Sequence, residues 1–333
     1  MLQCGGKSAS GTLKGMSDLP HFDDVLDAAA RIAPHARLTP TLTSSTLDAM
    51  SGARLFFKAE HLQRTGAFKF RGACNAVWAL DDAQAARGVV THSSGNHGGA
   101  LALAAATRGI PCHVVVPENA VETKLAAIRR NGAVLHLCAP TIPAREAGAA
   151  RIQAETGAHL VHPYTNPFVI AGQGTATLEL LEQAGPLDAL VTPVGGGGLA
   201  SGSALALHAR HPEAQLWLAE PEGAADTARS LAAGTLQLDF VPDTVCDGLR
   251  GTLGAPDFDL LRQHRARVVT VSDADTIAAM RLLWQVTKQI VEPSSAIVLA
   301  LVLANREAFA GKRVGLVLSG GNVDLDALPW SRV

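Results

Sequence analysis

The chain has 333 residues, 47% of them hydrophobic and 17% charged. That supplies ample apolar material for a core and excludes bulk disorder. Lys and Arg total 28 against 30 Asp and Glu, a formal charge of −2 with no basic block, so neither a nucleic acid nor a membrane surface is an expected partner.

Residues 1–18 are small and polar and are expected to form a loose tail without the apolar core of a signal peptide. A helix over Ser17–Ile32 opens the fold, ended by Pro34. Strands then follow at Leu55–Lys58, Gly88–Thr91, Cys112–Val116, Val134–Cys138, His159–His162, Ala189–Val194, Gln215–Ala219, Arg267–Val271 and Arg313–Leu318. Ala- and Leu-rich stretches with helical spacing lie between them, including Asn96–Thr107, Val121–Arg130, Ala144–Glu155, Val169–Gln183 and Ala274–Gln289. Runs that are apolar throughout, such as Val114-Val115-Val116, fit strands buried on both faces. The alternation predicts an α/β protein with open, mostly parallel sheets and helices on both faces. That many strands suits two lobes with a cleft between them. No apolar run reaches about 18 residues, so no transmembrane helix is expected. Cys4, Cys74, Cys112, Cys138 and Cys246 form no CxxC pair, which suits a reducing, cytoplasmic setting.

Ligands of open α/β folds sit at the carboxyl ends of strands. Four clusters stand there. In TGAFKFRGA, Lys69 falls in the first turn of a helix, where the dipole disfavours a cation. This suggests a lowered pKa or covalent capture by a carbonyl, and a surface lysine is the plainer alternative. In HSSGNH, small residues before a helix let backbone N–H groups form an anion nest. Ser94 can carry a proton there and Asn96 can hold a hydroxyl or phenolate oxygen; simple helix capping fits too. Gly195, Gly196, Gly197 and Gly198 precede a helix and read as a phosphate cradle, because side chains would block backbone approach. Gly195-x-Gly197-x-x-Ala200 followed by Glu220 also imitates a dinucleotide fingerprint, which leaves the nature of the phosphate ligand open. Ser319 in SGGNVD emerges from the last strand as a neutral donor or acceptor, or as part of an ordinary turn. A lysine for an aldehyde, a glycine loop for a phosphate and polar groups for a ring are together what pyridoxal phosphate needs.

TGAFKFRGA, HSSGNH, HPYTNPFVIAGQGT, GGGG and SGGNVD, in this order, resemble the serine/threonine dehydratase and serine racemase family, which includes 3-hydroxyaspartate ammonia-lyases. The resemblance runs from Phe22 to Asp324. It implies the two-lobed fold-type II architecture of pyridoxal-phosphate enzymes, similar to the tryptophan synthase β subunit. Residues 19–81 and 162–333 would form the large cofactor domain and 82–161 a small mobile one. Lys69 would hold the cofactor aldehyde as a Schiff base and then take the Cα proton, with Phe68 beside the ring. Gly195–Gly198 would bind the phosphate, Asn96 the ring O3′ and Ser319 the ring nitrogen. Gly248, in the Asp247-Gly248 pair, and Glu292 would border the ring. Ser93, Ser94, Gly95 and His97 would surround the substrate carboxylate. Glu220, Asp226 and the carbonyl of Ala224 match a Mg²⁺ or Mn²⁺ site, for which a solvated acidic loop is the alternative.

The implied reaction is removal of water and ammonia from a β-hydroxy amino acid (serine, threonine or 3-hydroxyaspartate), giving a 2-oxo acid. The alternatives are serine racemisation with Ser94 as opposite-face base, β-replacement, and non-catalytic amino-acid binding. A Rossmann-type dehydrogenase would explain the glycines and Glu220 but leave Lys69 and HSSGNH unused. Arg145 decides among substrates. If it faces the cleft its guanidinium can read a second carboxylate, and if it faces water serine and threonine fit better. A homodimer is expected from the resemblance.

Overall fold

Strands with two apolar faces need helices on both, and the chain builds two such sheets. The computed structural model describes residues 19–120 and 122–330, so the expected tail at 1–18 lies outside the described residues. The strands are β1 (Thr41–Leu42), β2 (Arg54–Ala59), β3 (Val89–Thr91), β4 (Cys112–Pro117), β5 (Val134–Cys138), β6 (His159–Leu160), β7 (Ala189–Pro193), β8 (Gln215–Pro221), β9 (Arg267–Val271) and β10 (Arg313–Leu318). One sheet has the order β1-β2-β10-β7-β8-β9 and the other β5-β4-β3-β6. Every pairing is parallel except β1 with β2.

The larger sheet places β2, β10, β7 and β8 side by side. Their carboxyl ends therefore bring the Lys69, Ser319, glycine-loop and Glu220 segments to one edge. The HSSGNH segment follows β3 of the smaller sheet. Strand β7 is buried along its whole length. The helix Pro293–Ala304, apolar around its circumference, is buried beneath the sheet from Ser294 to Val302.

The helix carrying the lysine, Lys69–Trp78, lies directly on the helix Pro167–Ala184. A Cβ on Gly172 would sit 2.7 Å from the Gly72 Cα, so no larger residue lets the two backbones approach this closely. Beside this contact Arg71, fully buried, pairs with Glu60 at 2.7 Å and Glu179 at 2.6 Å. Lys58 adds a 2.6 Å bridge to Glu179 and donates to the Thr39 carbonyl. Removing one partner of such a buried pair costs about 3–5 kcal/mol, so the network holds the start of the lysine helix in place.

Three expectations need correction. The first helix begins at Phe22 rather than Ser17, because Pro20 precedes it and His21 and Asp24 form a capping box there. The strand expected at residues 159–162 ends at Leu160, and the chain turns at once into the site. The edge strand β1 was not foreseen, since two residues carry no periodicity.

Candidate active site

The lysine is placed by a tightly held turn. After β2 the chain passes through Thr65 and Gly66, both at positive φ. Ala67 then bridges to Gly320, and the Phe68 N–H donates to the Ser319 carbonyl at 2.9 Å. This fixes the start of the lysine helix against the end of β10. Lys69 Nζ donates to the Pro163 carbonyl at 2.9 Å and lies 5.1 Å from the centre of the Phe68 ring. Burial lowers the Lys69 pKa to about 8, partly countered by the charge of Asp257. A pKa brought this close to physiological pH leaves an appreciable neutral fraction of the amine that can accept a proton.

Asn96 opens the helix Asn96–Arg108 after β3. Its Nδ2 donates to Glu292 Oε1 at 3.0 Å, and its Oδ1 accepts from Asn322 Nδ2 at 2.9 Å. Asn322 also donates its N–H to Glu292 Oε2 at 3.1 Å and its Nδ2 to the Thr65 carbonyl at 2.8 Å. Asn322 thus ties the helix after β3 to the larger sheet. Next to this knot, the Gly248 N–H donates to Ser294 Oγ at 3.0 Å, and Ser319 Oγ faces the Ser294 carbonyl at 3.4 Å. Ser94, Gly95, Asn96, Asp247 and Asn322 line a cavity of about 980 Å³.

The glycine loop leaves β7 into the helix Gly198–Arg210. Gly197 has φ +102°, a conformation that L side chains rarely adopt. The N–H groups of Gly195 to Gly198 have no acceptor among the described residues, as expected where a helix N-terminus awaits an anion. The Tyr164 ring covers the loop so closely that a Cβ on Gly196 would lie 2.4 Å from it. A row of rings continues outward, with Tyr164 to His162 at 4.6 Å and His162 to His92 at 5.1 Å. Burial, with the charges of His92 and Lys69, drives the His162 pKa down to about 3. The Arg145 guanidinium acts at the far end of the row, reinforcing the burial that lowers His92. Arg145 is half-buried on the helix Ile142–Thr156, and its Nε has no partner among the described residues.

His97, expected beside the substrate carboxylate, is buried and does not line the cavity, although its ring is near enough to Lys69 and His162 to feel their charges. It is 2% exposed and turns Nε2 to the Val161 carbonyl at 3.2 Å. The Ser93 carbonyl likewise points back at Gly98, where a Cβ would lie 2.0 Å away, so the serine's backbone shapes the turn. Glu220 and Asp226 are both fully buried next to the edge. Glu220 accepts the N–H groups of Thr227 at 2.7 Å and Ala228 at 2.9 Å. Asp226 Oδ2 accepts from the Leu253 N–H at 2.7 Å, and its Oδ1 has no partner among the described residues. Desolvation raises Glu220 to about 7 and Asp226 to about 6. Ala224 lies in the short turn between them.

Residues 32–320 match the family described as pyridoxal-phosphate dependent enzyme. The chain belongs to this family. It is 51% identical over 313 residues to a β-hydroxyaspartate dehydratase of Paracoccus denitrificans (strain Pd 1222), covering 94% of this chain and 99% of that one. It is 42% identical to an L-threo-3-hydroxyaspartate ammonia-lyase of Saccharomyces cerevisiae (strain ATCC 204508 / S288c), over 92% and 94% of the two chains. The structure of maize serine racemase superposes with a TM-score of 0.91 at 44% identity, covering 93% of this chain and 95% of that one. The protein is thus a pyridoxal-phosphate enzyme of the α/β, fold-type II kind. The residues present fit the cofactor: unmatched N–H groups stand at one end and a desolvated lysine amine at the other. The segments used are those the sequence singled out, with three additions. The Pro163 carbonyl, Asn322 and Asp257 were not foreseen. Pro163 and Asn322 stood within quoted motifs, HPYTNPFVIAGQGT and SGGNVD, without being singled out, and Asp257 stood in none.

Proposed function

We propose that the protein eliminates water from 3-hydroxyaspartate to give an enamine, whose hydrolysis takes one water back and frees ammonia, so that the net loss is ammonia and the product a four-carbon 2-oxo diacid. The observation that carries this reading is Arg145. Its buried Nε has no partner among the described residues, and its charge acts on His92 at the end of the ring row that leads to the glycine loop, which supports a place for a second carboxylate there. A guanidinium reads a carboxylate bidentately, and serine and threonine have no carboxylate to offer it.

Pyridoxal phosphate, when bound, supplies a conjugated ring that accepts charge from Cα. Gly195–Gly198 would hold its phosphate, with Phe68 beside the ring, Asn96 toward O3′ and Ser319 toward the ring nitrogen. Glu292 and Gly248 border the ring. Ser93, Ser94 and Gly95 bind the α-carboxylate, with His97 supporting their turn from below. Lys69 Nζ takes the Cα proton, and the Pro163 carbonyl holds the amine in place before it does so. A neutral hydroxyl at Ser319 would protonate the ring nitrogen only weakly, which would favour elimination over transamination. Residues 82–161 close as a small domain on the large one, shielding these steps from water. Incubation with the 3-hydroxyaspartate stereoisomers should release ammonia and 2-oxo acid in equal amounts. Absence of release from every stereoisomer by cofactor-loaded protein would overturn the reading. Racemisation is the second reading, favoured by the place of Ser94 on the cavity wall. D-serine formation from L-serine, lost in Ser94→Ala, would establish it.

Glu220, Asp226 and the Ala224 carbonyl would hold Mg²⁺ or Mn²⁺. The support is the donor set itself, two buried carboxylates with Asp226 Oδ1 unmatched. Hard oxygen donors of this kind suit a hard cation. Saturating Mg²⁺ should raise Tm by several degrees, since a ligand at a hundred times its Kd adds about 2.7 kcal/mol. The gain should vanish in Asp226→Asn. Equal Tm values with and without the cation in the parent protein would count against the site.

A further inference from the structure

Behind the glycine loop lies a carboxyl group that the proposed chemistry leaves unused. Asp257 stands in the first turn of the helix Ala255–Gln263 and is fully buried. Neither of its oxygens meets a partner at hydrogen-bond geometry among the described residues. The Ser201 hydroxyl, equally buried in the helix that the loop opens, and the Asp257 backbone N–H are near enough to favour the ionised carboxyl, but neither reaches full hydrogen-bond geometry. Two glycines are shaped around this side chain. A Cβ on Gly197 would lie 2.4 Å from the Asp257 Cβ, and one on Gly254 would lie 2.5 Å from Oδ2. Unmatched oxygens therefore stand against the same loop whose four N–H groups are unmatched. Buried polar groups are normally paired, so such a concentration marks a place that a ligand completes.

We propose that Asp257 is a positioning residue for the cofactor's phosphate, acting from behind Gly197 in its acid form as a hydrogen-bond donor. This rests on the reading that Gly195–Gly198 hold that phosphate. A phosphate monoester carries up to two negative charges, and an ionised carboxyl beside it would repel it. A carboxylic acid instead shares its proton with the phosphate, directly or relayed by Ser201 Oγ. Burial supports the acid form by holding the Asp257 carboxyl well above the usual range, against the opposing pull of Ser201 and Lys69. The titratable groups that face it are Lys69, from the helix Lys69–Trp78, and Tyr164, from the segment after β6. Glu146 and Asp226 act on Tyr164 in turn. The consequence is that cofactor affinity falls as Asp257 ionises, and that the phosphate group is what senses the charge.

The test compares two probes, pyridoxal phosphate and pyridoxal, which lacks the phosphate. Their dissociation constants are measured by absorbance titration from about pH 6 to about pH 9, in the parent protein and in Asp257→Asn. Asp257 also acts on Lys69, and any resulting change in the lysine's titration bears on the aldehyde of both probes alike, so it cancels in the ratio of pyridoxal phosphate to pyridoxal affinity within each protein. The Asn amide donates at every pH. The variant's ratio of pyridoxal phosphate to pyridoxal affinity should match the parent's at low pH and exceed it about tenfold at the alkaline end. Asp257→Leu, which donates nothing, should lose about tenfold in pyridoxal phosphate affinity at neutral pH and nothing for pyridoxal. Parallel curves for parent and Asn variant overturn the proposal, as does equal weakening of both probes, which would mark a purely structural role. If the parent itself binds the two probes equally, it is the glycine-loop reading that fails.

Discussion

Lys69→Ala should lower ammonia release from 3-hydroxyaspartate by at least about a thousandfold, the order that loss of a positioned proton acceptor brings. The helix start would survive, because it is held by the Phe68–Ser319 backbone bond and by the Arg71 network rather than by the lysine amine. The circular dichroism spectrum should therefore be unchanged while the visible band of the lysine-bound cofactor disappears. Lys69→Arg should fail equally, since a guanidinium keeps the charge but gives up no proton near neutral pH. A Lys69→Ala protein that retained a tenth of the parent rate would remove the lysine from the chemistry.

Arg145→Ala should cut kcat/KM for 3-hydroxyaspartate by about ten- to a hundredfold, since a charge-assisted hydrogen bond is worth about 1.5–3 kcal/mol. The rate with L-serine should stay within about threefold, because serine has nothing for the guanidinium to hold. Arg145→Lys should fall between, keeping a point charge and losing the fork. The helix bearing Arg145 is anchored at its other positions, through Ala149 and Ile152, which are buried against the smaller sheet. Truncating a half-buried side chain there leaves that packing intact. Equal losses with both substrates would make Arg145 structural.

The βα alternation and the apolar strands made the fold class legible, because both follow from burial on two faces. The four strand-end clusters were legible for the same reason, since in parallel sheets all carboxyl ends lie at one edge. Their mutual arrangement was not. Glu292 is 196 residues from Asn96, yet the two bond directly. No local pattern announces such a contact. Asp257 was hidden because an acidic residue in a helix first turn is ordinary there. The setting of His97 was also hidden. HSSGNH suggests a whole loop facing substrate, but once the helix starts at Asn96 the next residue turns into the core and bonds Val161. Arg145 was ambiguous on sequence because helical spacing alone does not say which neighbour its face meets. Its charge reaches His92, the end of a ring row built from the turn after β6 and the loop after β3, and this proximity is what supports the cleft-facing reading.

The central claim is that this pocket selects a β-hydroxy amino acid with a second carboxylate. The most direct measurement is the ratio of kcat/KM for 3-hydroxyaspartate to that for L-serine and for L-threonine, each read as ammonia release by the cofactor-loaded enzyme with Mg²⁺. The account predicts a ratio of about ten or more for one 3-hydroxyaspartate stereoisomer. A ratio below one against serine or threonine would contradict it and make the protein a general hydroxy-amino-acid dehydratase.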